Sequence, residues 1–189
     1  VLASLAERAR VPSRAEHSAA RALAPSPWGD RFFLAVMCLH CVSATVLFQF
    51  FGALPLFLSH DLGFSKSGVG SALAVNSILI ALFEMQLVRR VETRDPLPLV
   101  ALGSFLICAG YGVNALAGGT LMALVSIAVW TAGEMLFFPL SASYASQRAP
   151  AGAVGRYLSV FQLGFAVPFL LAPMLGTAMV HGLGPLIPG

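Results

Sequence analysis

The stretch WTAGEMLFFPLSASYASQRAP, from Trp130 to Pro150, decides what kind of protein this is. Its one acid, Glu134, is the only charged residue between Asp95 and Arg148. A run this long and this apolar cannot cover a normal water-exposed surface, so it belongs either in a protein core or in lipid. The composition of the whole chain distinguishes these two environments.

Composition indicates an integral membrane protein. Of the 189 residues, 58% are apolar and 10% are charged, whereas soluble domains carry about 25% charged residues. The mean hydropathy of +0.84 agrees. The net charge of +3 does not indicate nucleic acid as a partner, because the basic residues are scattered between apolar runs. The predicted fold class is all-α, with the lipid bilayer as its surroundings.

Five apolar segments are long enough to cross a bilayer, since ~30 Å of hydrocarbon takes roughly 20 helical residues. The predicted spans are residues 32–58, 67–88, 98–116, 120–144 and 157–180. The turn NALAGGT, from Asn114 to Thr120, separates the third span from the fourth. Pro55 is expected to kink the first span.

The basic residues indicate orientation, because loops rich in Lys and Arg stay in the cytoplasm. Only Lys66 falls on the other side of the predicted membrane. The basic side holds Arg8, Arg10, Arg14, Arg21, Arg31, Arg89, Arg90, Arg94, Arg148 and Arg156. We therefore expect a cytoplasmic N-terminus, with residues 1–30 as a polar linker, and the segment HGLGPLIPG at the outer face. A transit peptide is the alternative for the first residues.

Glu134 is the main candidate for a functional residue. It lies about 14 residues into the fourth span, or ~21 Å from the outer end. An acid at the centre of a spanning helix costs about 2.5–3.5 kcal/mol on insertion scales, and such acids usually mark an ion or substrate path. Glu134 is therefore the candidate proton carrier or partner of a cationic substrate. The alternative is a structural ion pair with Arg156 or a basic loop.

Two amides in the spans are weaker candidates for lining a cavity. Asn76 ends a stripe of small residues, Gly68 and Ala72, and could line a cavity or hydrogen-bond across a helix contact. Gln49 is similar in the first span. Glu84, near the end of the second span, is expected to form a local ion pair with Arg89, five residues later.

Prolines and small residues punctuate the later spans. Pro139 follows Glu134 by five residues and is expected to kink its helix. The fifth span carries the stripe Gly164, Pro168, Ala172 and Gly176, with Pro173 beside it, and the third carries Ser104, Cys108 and Gly112. Both stripes are expected to be packing seams, and the three prolines are candidates for kinks that shape moving helices.

The sequence does not indicate an enzyme. CLHC, from Cys38 to Cys41, lies inside a span without a fourth ligand nearby, so no metal site is predicted. His40 in that motif is expected to be a buried hydrogen-bonding group. We find no convergent set of nucleophile, base or metal ligands, and we predict no catalytic residue and no cofactor.

Several segments in order resemble the C-terminal half of a major facilitator superfamily transporter, and are similar to proton-linked multidrug and related efflux carriers. The resemblance runs from Asp30 to Gly189. It rests on QFFGALPLFLSHDLGFSKSGVGSALAVN, on the RR after the second span, on GEMLFFPLSASYASQRAPAGAVGRYLSVFQ, and on APMLGT. The basic loop of the family survives as VRRVETRD, without its glycines.

The resemblance implies a function and an assembly. Glu134 and Pro139 match the family's GE…P helix, and Arg89 and Arg90 match its basic cytoplasmic loop. It implies a secondary transporter, a proton antiporter that exports a small molecule by alternating access in a bacterial cytoplasmic (inner) membrane. It also implies a sixth helix after Gly189 and a six-helix half before residue 1. Proton-coupled uptake of a peptide or other solute, or a non-transporting scaffold or receptor, are the alternatives.

Overall fold

The computed structural model describes residues 25–114 and 118–183. Most of the predicted linker, part of the NALAGGT turn and the end of the outer segment lie outside these residues. Within them the chain is helical without strands. The helices are α1 (Arg31–Leu47), α2 (Ala53–His60), α3 (Lys66–Val91), α4 (Pro96–Asn114), α5 (Thr120–Arg148) and α6 (Val154–Leu183), and 3-10 turns cover Pro27–Gly29 and Phe48–Phe51.

Five helical segments in the described part of the chain are long and apolar enough to cross a membrane, which confirms the predicted class. They are Arg31–Phe51, Lys66–Val91, Pro96–Asn114, Thr120–Arg148 and Val154–Gly176. Several helices extend past the predicted ends, because a helix continues into the interface where its charged side chains reach water. Arg89 and Arg90 therefore lie in the last turn of α3, and their assignment to a loop was wrong.

The first predicted span is not one helix. α1 ends at Leu47, a 3-10 turn follows, and α2 begins after Gly52. The expected kink at Pro55 was therefore misplaced. Pro55 is the third residue of α2, where an N–H group has no partner within the helix to lose. Gly52 allows a close approach at the break, because a Cβ there would lie 3.1 Å from the Cα atom of Pro173 in α6.

The closest helix contact joins α4 to α5. A Cβ added to Gly133 would lie 2.7 Å from both the carbonyl oxygen of Gly103 and the backbone nitrogen of Ile107. The predicted seam of Ser104, Cys108 and Gly112 is not at this contact, since Cys108 is exposed and a Cβ added to Gly112 would meet no atom of another helix within 4 Å. The contact instead involves Gly103, Ile107 and Gly110, so it is rotated by one residue, about 100° around the helix, from Ser104 and Cys108.

The small-residue stripe of α6 packs as predicted. Gly164, Pro168, Ala172 and Gly176 are all buried. A Cβ on Gly164 would meet the His40 ring of α1 at 3.1 Å, and one on Gly176 would meet the nitrogen of Ala53 at 3.1 Å. α5 and α6 are each a single helix through their prolines, Pro139, Pro168 and Pro173, whose role in gating stays a prediction.

A polar cluster joins the start of α1 to the end of α5. Asp30 caps α1 by accepting a hydrogen bond from the nitrogen of Phe33 at 3.0 Å. Its carboxylate also accepts two bonds from Arg148, at 2.8 and 3.1 Å, and one from the Tyr157 hydroxyl at 3.4 Å. The Arg148 hydrogen bond holds the pKa of Asp30 below its ordinary value of 3.8. The N-terminal end of the first span and the C-terminal end of the fourth therefore share one side of the bundle.

Asp30→Asn should destabilise the protein at neutral pH but not in acid. A carboxyl whose pKa is lower in the folded state stabilises the fold above about pH 4, and this contribution is lost as the pH falls through the folded pKa. The melting temperatures of parent and variant in detergent should therefore differ at neutral pH and converge below about pH 4. A difference that persists unchanged in acid would contradict this assignment of the ion pair.

Candidate functional site

Glu134 lies at the midpoint of α5, 14 residues from each end of Thr120–Arg148. At 1.5 Å per residue this is about 21 Å from either end. Arg156 is in the first turn of α6, beside the basic end of α5. That distance is too long for the two side chains to meet, so the predicted alternative of an ion pair with Arg156 is wrong.

Asn76 of α3 bonds directly to Glu134. Its amide nitrogen donates to the Glu134 Oε2 atom at 2.8 Å and to the Thr131 hydroxyl at 3.1 Å. The Thr131 hydroxyl in turn donates to the carbonyl of Ile127 at 2.6 Å. Both N–H donors of the amide are therefore used. Asn76 and Thr131 are buried, while Glu134 is half-buried.

Thr131 is the polar partner that the sequence analysis missed. It precedes Glu134 by three residues, a spacing that places two side chains on one face of a helix. This three-residue spacing was the feature of the sequence that could have identified Thr131 as a neighbour of Glu134. Asn76 hydrogen-bonds across the contact between α3 and α5 and also borders a cavity, while its part in a substrate or proton path stays a prediction.

The carboxylate of Glu134 borders a cavity of about 210 Å³. Half of the eight residues that border it are aromatic, and the full lining is Leu47, Phe48, Phe50, Phe51, Asn76, Ser77, Trp130 and Glu134. The three phenylalanines come from the 3-10 turn, so the break in the first span brings them to the site. A cavity this small, bordered by one acid, one amide and one serine beside apolar side chains, suits water or a proton better than a large solute.

Tyr111 of α4 supports the aromatic wall. Its hydroxyl donates to the carbonyl of Leu47, at the end of α1, at 2.9 Å. Its ring lies 5.6 Å from that of Trp130, which lies 5.8 Å from Phe50. The turn that carries Phe50 is therefore tied to α4 and α5.

Gln49, the other amide candidate for lining a cavity, lies away from Glu134 and Asn76. Its amide nitrogen donates to the carbonyl of Ala172 in α6 at 3.1 Å, and its Oε1 atom packs against Gly176. It borders a separate cavity of about 160 Å³, with Tyr111 and other residues. Gln49 therefore connects the 3-10 turn between α1 and α2 to α6.

His40 is buried, but the expectation that it hydrogen-bonds was wrong. Neither ring nitrogen has a hydrogen-bond partner among the described residues. The ring stacks on Phe137 at 4.4 Å and meets the edge of Phe165 at 4.5 Å. His40 is therefore part of an aromatic cluster between α1, α5 and α6.

Glu84 does not face Arg89, the partner predicted for it. Residues five apart on a helix differ by about 140° around its axis, so Arg89 does not lie on the same face. Glu84 instead borders a cleft of about 440 Å³ against α5 and α6. Two acids, Glu84 and Glu134, thus border cavities along the contact of α3 with α5.

Comparison with known proteins identifies the family. The profile of the Major Facilitator Superfamily matches residues 1–173. No curated protein matches the chain. The match covers most of the chain and agrees with the five apolar spanning helices. The chain belongs to the Major Facilitator Superfamily of membrane transporters.

Proposed function

We propose that this chain is the C-terminal half of a secondary active transporter that exports a small molecule in exchange for protons. Glu134 would be the group that binds and releases the proton. The single observation behind this proposal is the Glu134 site itself: a carboxyl group at the midpoint of an apolar spanning helix, bonded to a neutral amide and beside a small cavity.

The surroundings of Glu134 support a proton carrier over a structural acid. A carboxylate bonded to arginine stays charged, whereas one held by an amide can gain or lose a proton as its hydration changes. The residues that border its cavity include no Lys, Arg or His. A change in the access of water to the cavity would therefore change the protonation of Glu134, which is the coupling that alternating access needs.

The proposed assembly has two halves. Residues 1–30 would link this bundle to a preceding six-helix half, and a sixth helix would follow Gly189. The two halves would rock about a site near the middle of the membrane. Pro139, Pro168 and Pro173 would let α5 and α6 bend, while Arg89 and Arg90 would lie at the cytoplasmic side of α3.

We propose that the N-terminus and the basic ends of the helices lie in the cytoplasm, in a bacterial inner membrane. In a variant with Cys38, Cys41 and Cys108 replaced by serine, Asp61→Cys should react with a membrane-impermeant maleimide on intact cells. Glu92→Cys should react only after permeabilisation, because it lies at the opposite end of α3. The reverse pattern would overturn the orientation.

The transport proposal is tested with the full-length gene product in liposomes that contain pyranine, a pH-sensitive dye. After an acid-inside gradient is imposed, adding a transported compound outside should raise the internal pH as protons leave in exchange. Acidification by co-entry of protons into neutral liposomes would indicate uptake. Absence of any coupled proton movement over a broad panel of compounds would favour a scaffold or receptor.

A further inference from the structure

Another cavity lies beside the break of the first span, at the end of the bundle away from Asp30. Its volume is about 160 Å³, and we call it the Tyr111 cavity. The 3-10 turn, α2 and the last turn of α4 border it, through Gln49, Ala53, Leu54, Phe57, Tyr111 and Asn114. None of these residues belongs to α3, α5 or α6, and none borders the Glu134 cavity or the Glu84 cleft. The Tyr111 cavity is therefore a separate space.

Two of the residues that border the Tyr111 cavity carry an amide oxygen without a hydrogen-bond partner. The Gln49 Oε1 and Asn114 Oδ1 atoms are both buried, and neither has a partner among the described residues. Buried polar atoms are nearly always bonded, either to protein or to ordered water. A space of this size holds water where polar groups border it, and both oxygens can accept a hydrogen bond from that water. The Tyr111 cavity is therefore suited to a short chain of water molecules.

The charges around the Tyr111 cavity favour an excess proton. The side chains that border it include no Lys, Arg or His. Asn114 is the last residue of α4, and Gln49 lies two residues after the last residue of α1. The C-terminal end of a helix carries a partial negative charge, which stabilises a nearby cation. Protonated water in this cavity is therefore close to two helix ends of the favourable sign, and no positive side chain of the lining repels it.

Direct contacts connect the Tyr111 cavity to the Glu134 cavity. The Tyr111 hydroxyl donates to the carbonyl of Leu47 at 2.9 Å, and Leu47 borders the Glu134 cavity. The centroid of the Tyr111 ring lies 5.6 Å from that of Trp130, which also borders the Glu134 cavity. Trp130 precedes Glu134 by four residues, so the two side chains lie on the same face of α5. Tyr111 therefore forms part of the wall between the two spaces.

We propose that protons reach Glu134 from the outer side of the membrane through the Tyr111 cavity. This inference rests on the proposed proton role of Glu134 and names the route by which the proton arrives. Water bonded to Gln49 and Asn114 carries the proton to the wall, where the hydrogen bond from Tyr111 to Leu47 separates the two spaces. When this bond opens, the water of the two cavities joins and the Glu134 carboxylate takes the proton. The route uses α1, α2 and α4, so the proton does not pass through the cleft between α3, α5 and α6.

The first measurement tests whether water enters the Tyr111 cavity. Leu54→Cys is made in the full-length protein without other cysteines, because Leu54 is buried on α2 and borders this cavity. Vesicles that expose the Asp61 loop on their outer surface are treated with 2-aminoethyl methanethiosulfonate outside and contain free cysteine inside. Leu54→Cys should be modified. Leu58→Cys is the matched control and should not react, because Leu58 is fully buried on the same helix, nearer to Asp61, and does not border the cavity.

The second measurement follows the arrival of the proton at Glu134. Dicyclohexylcarbodiimide modifies protonated carboxyl groups in apolar surroundings, and mass spectrometry of the peptides gives its rate of reaction at Glu134 alone. Acid added outside the vesicles should raise this rate in the parent. The rise should be lost once the thiol of Leu54→Cys is modified, because the adduct fills the cavity, and dithiothreitol should restore it by removing the adduct. Since the same folded protein is measured before and after, misfolding cannot produce this pattern.

Three results would overturn the route while leaving the proton role of Glu134 intact: no modification of Leu54→Cys, equal modification of Leu58→Cys, or an unchanged acid response of Glu134 in the modified protein. If Glu134 of the parent does not respond to acid at all, the proton proposal itself fails, and the route fails with it.

Asn114→Leu provides a second variant that does not depend on a thiol. It should slow the acid response of Glu134 severalfold, because an apolar side chain cannot hold the water that the amide holds. Gly112→Ala is its control, since a Cβ at this position of the same helix meets nothing within 4 Å and the response should stay as in the parent. An Asn114→Leu variant that responds as fast as Gly112→Ala would also contradict the route.

Discussion

Glu134→Gln is expected to reduce proton-coupled flux to the level of protein-free liposomes. Glutamine has nearly the same shape as glutamate, and its oxygen can still accept the hydrogen bond that Asn76 donates at 2.8 Å. The variant therefore keeps the contact between α3 and α5 but cannot carry a proton. Loss of flux without loss of folded protein separates a role in proton transfer from a role in packing.

The measurement is the pyranine assay on liposomes that contain equal amounts of folded parent and variant protein. Asp61→Asn is the matched control, because it removes an exposed acid from the loop between α2 and α3 and should leave flux unchanged. If Glu134→Gln transports as the parent does, Glu134 is a structural acid and the proposed coupling site is wrong.

Gly133→Ala is expected to cause the largest loss of stability. The added Cβ would lie 2.7 Å from backbone atoms of both Gly103 and Ile107, and backbone atoms cannot turn aside as a side chain can. α4 and α5 would have to separate, with loss of dispersion contacts along the whole seam. Overpacking of this kind costs about 1–3 kcal/mol, occasionally more. Gly110→Ala should behave similarly, because its Cβ would lie 2.6 Å from the nitrogen of Trp130.

Gly112→Ala is the matched control for these variants. Gly112 is in the same helix as Gly110, but nothing lies within 4 Å of the position of its Cβ. The substitution should be neutral or stabilise by about 0.5–1 kcal/mol, since alanine favours the helix. Unfolding of the purified proteins by SDS in mixed micelles, followed by circular dichroism, compares them. A Gly133→Ala variant as stable as Gly112→Ala would contradict the close contact.

The five spanning helices of the described residues and the central position of Glu134 in one of them could both be predicted without coordinates. Hydrophobicity over about 20 residues decides whether a segment crosses lipid, and this is a property of each segment alone. An acid in such a segment is conspicuous because its insertion is costly. Asn76 was identified for a similar reason, as a buried amide at the end of a small-residue stripe.

The partners of these residues could not be predicted in the same way. Gln49 and Asn76 are both amides within apolar spans, yet Asn76 meets Glu134 and Gln49 meets Ala172 of α6. Glu84 is a similar case. Arg89 is close to it in the chain, but the other residues that border its cleft come from α5 and α6. The partner that each side chain meets depends on the direction in which the side chain points from its helix axis.

The sequence by itself predicted five apolar spanning helices, which the described residues contain, one side for the basic residues, and a position for Glu134 near the middle of its helix. Only the tertiary structure decided that the first span breaks at Gly52, that Phe48, Phe50 and Phe51 reach the Glu134 cavity, and that Gly103 rather than Ser104 faces α5. The physical reason is that burial in lipid acts on each segment separately. The rotation of a helix, by about 100° per residue, is set by the neighbour against which it packs.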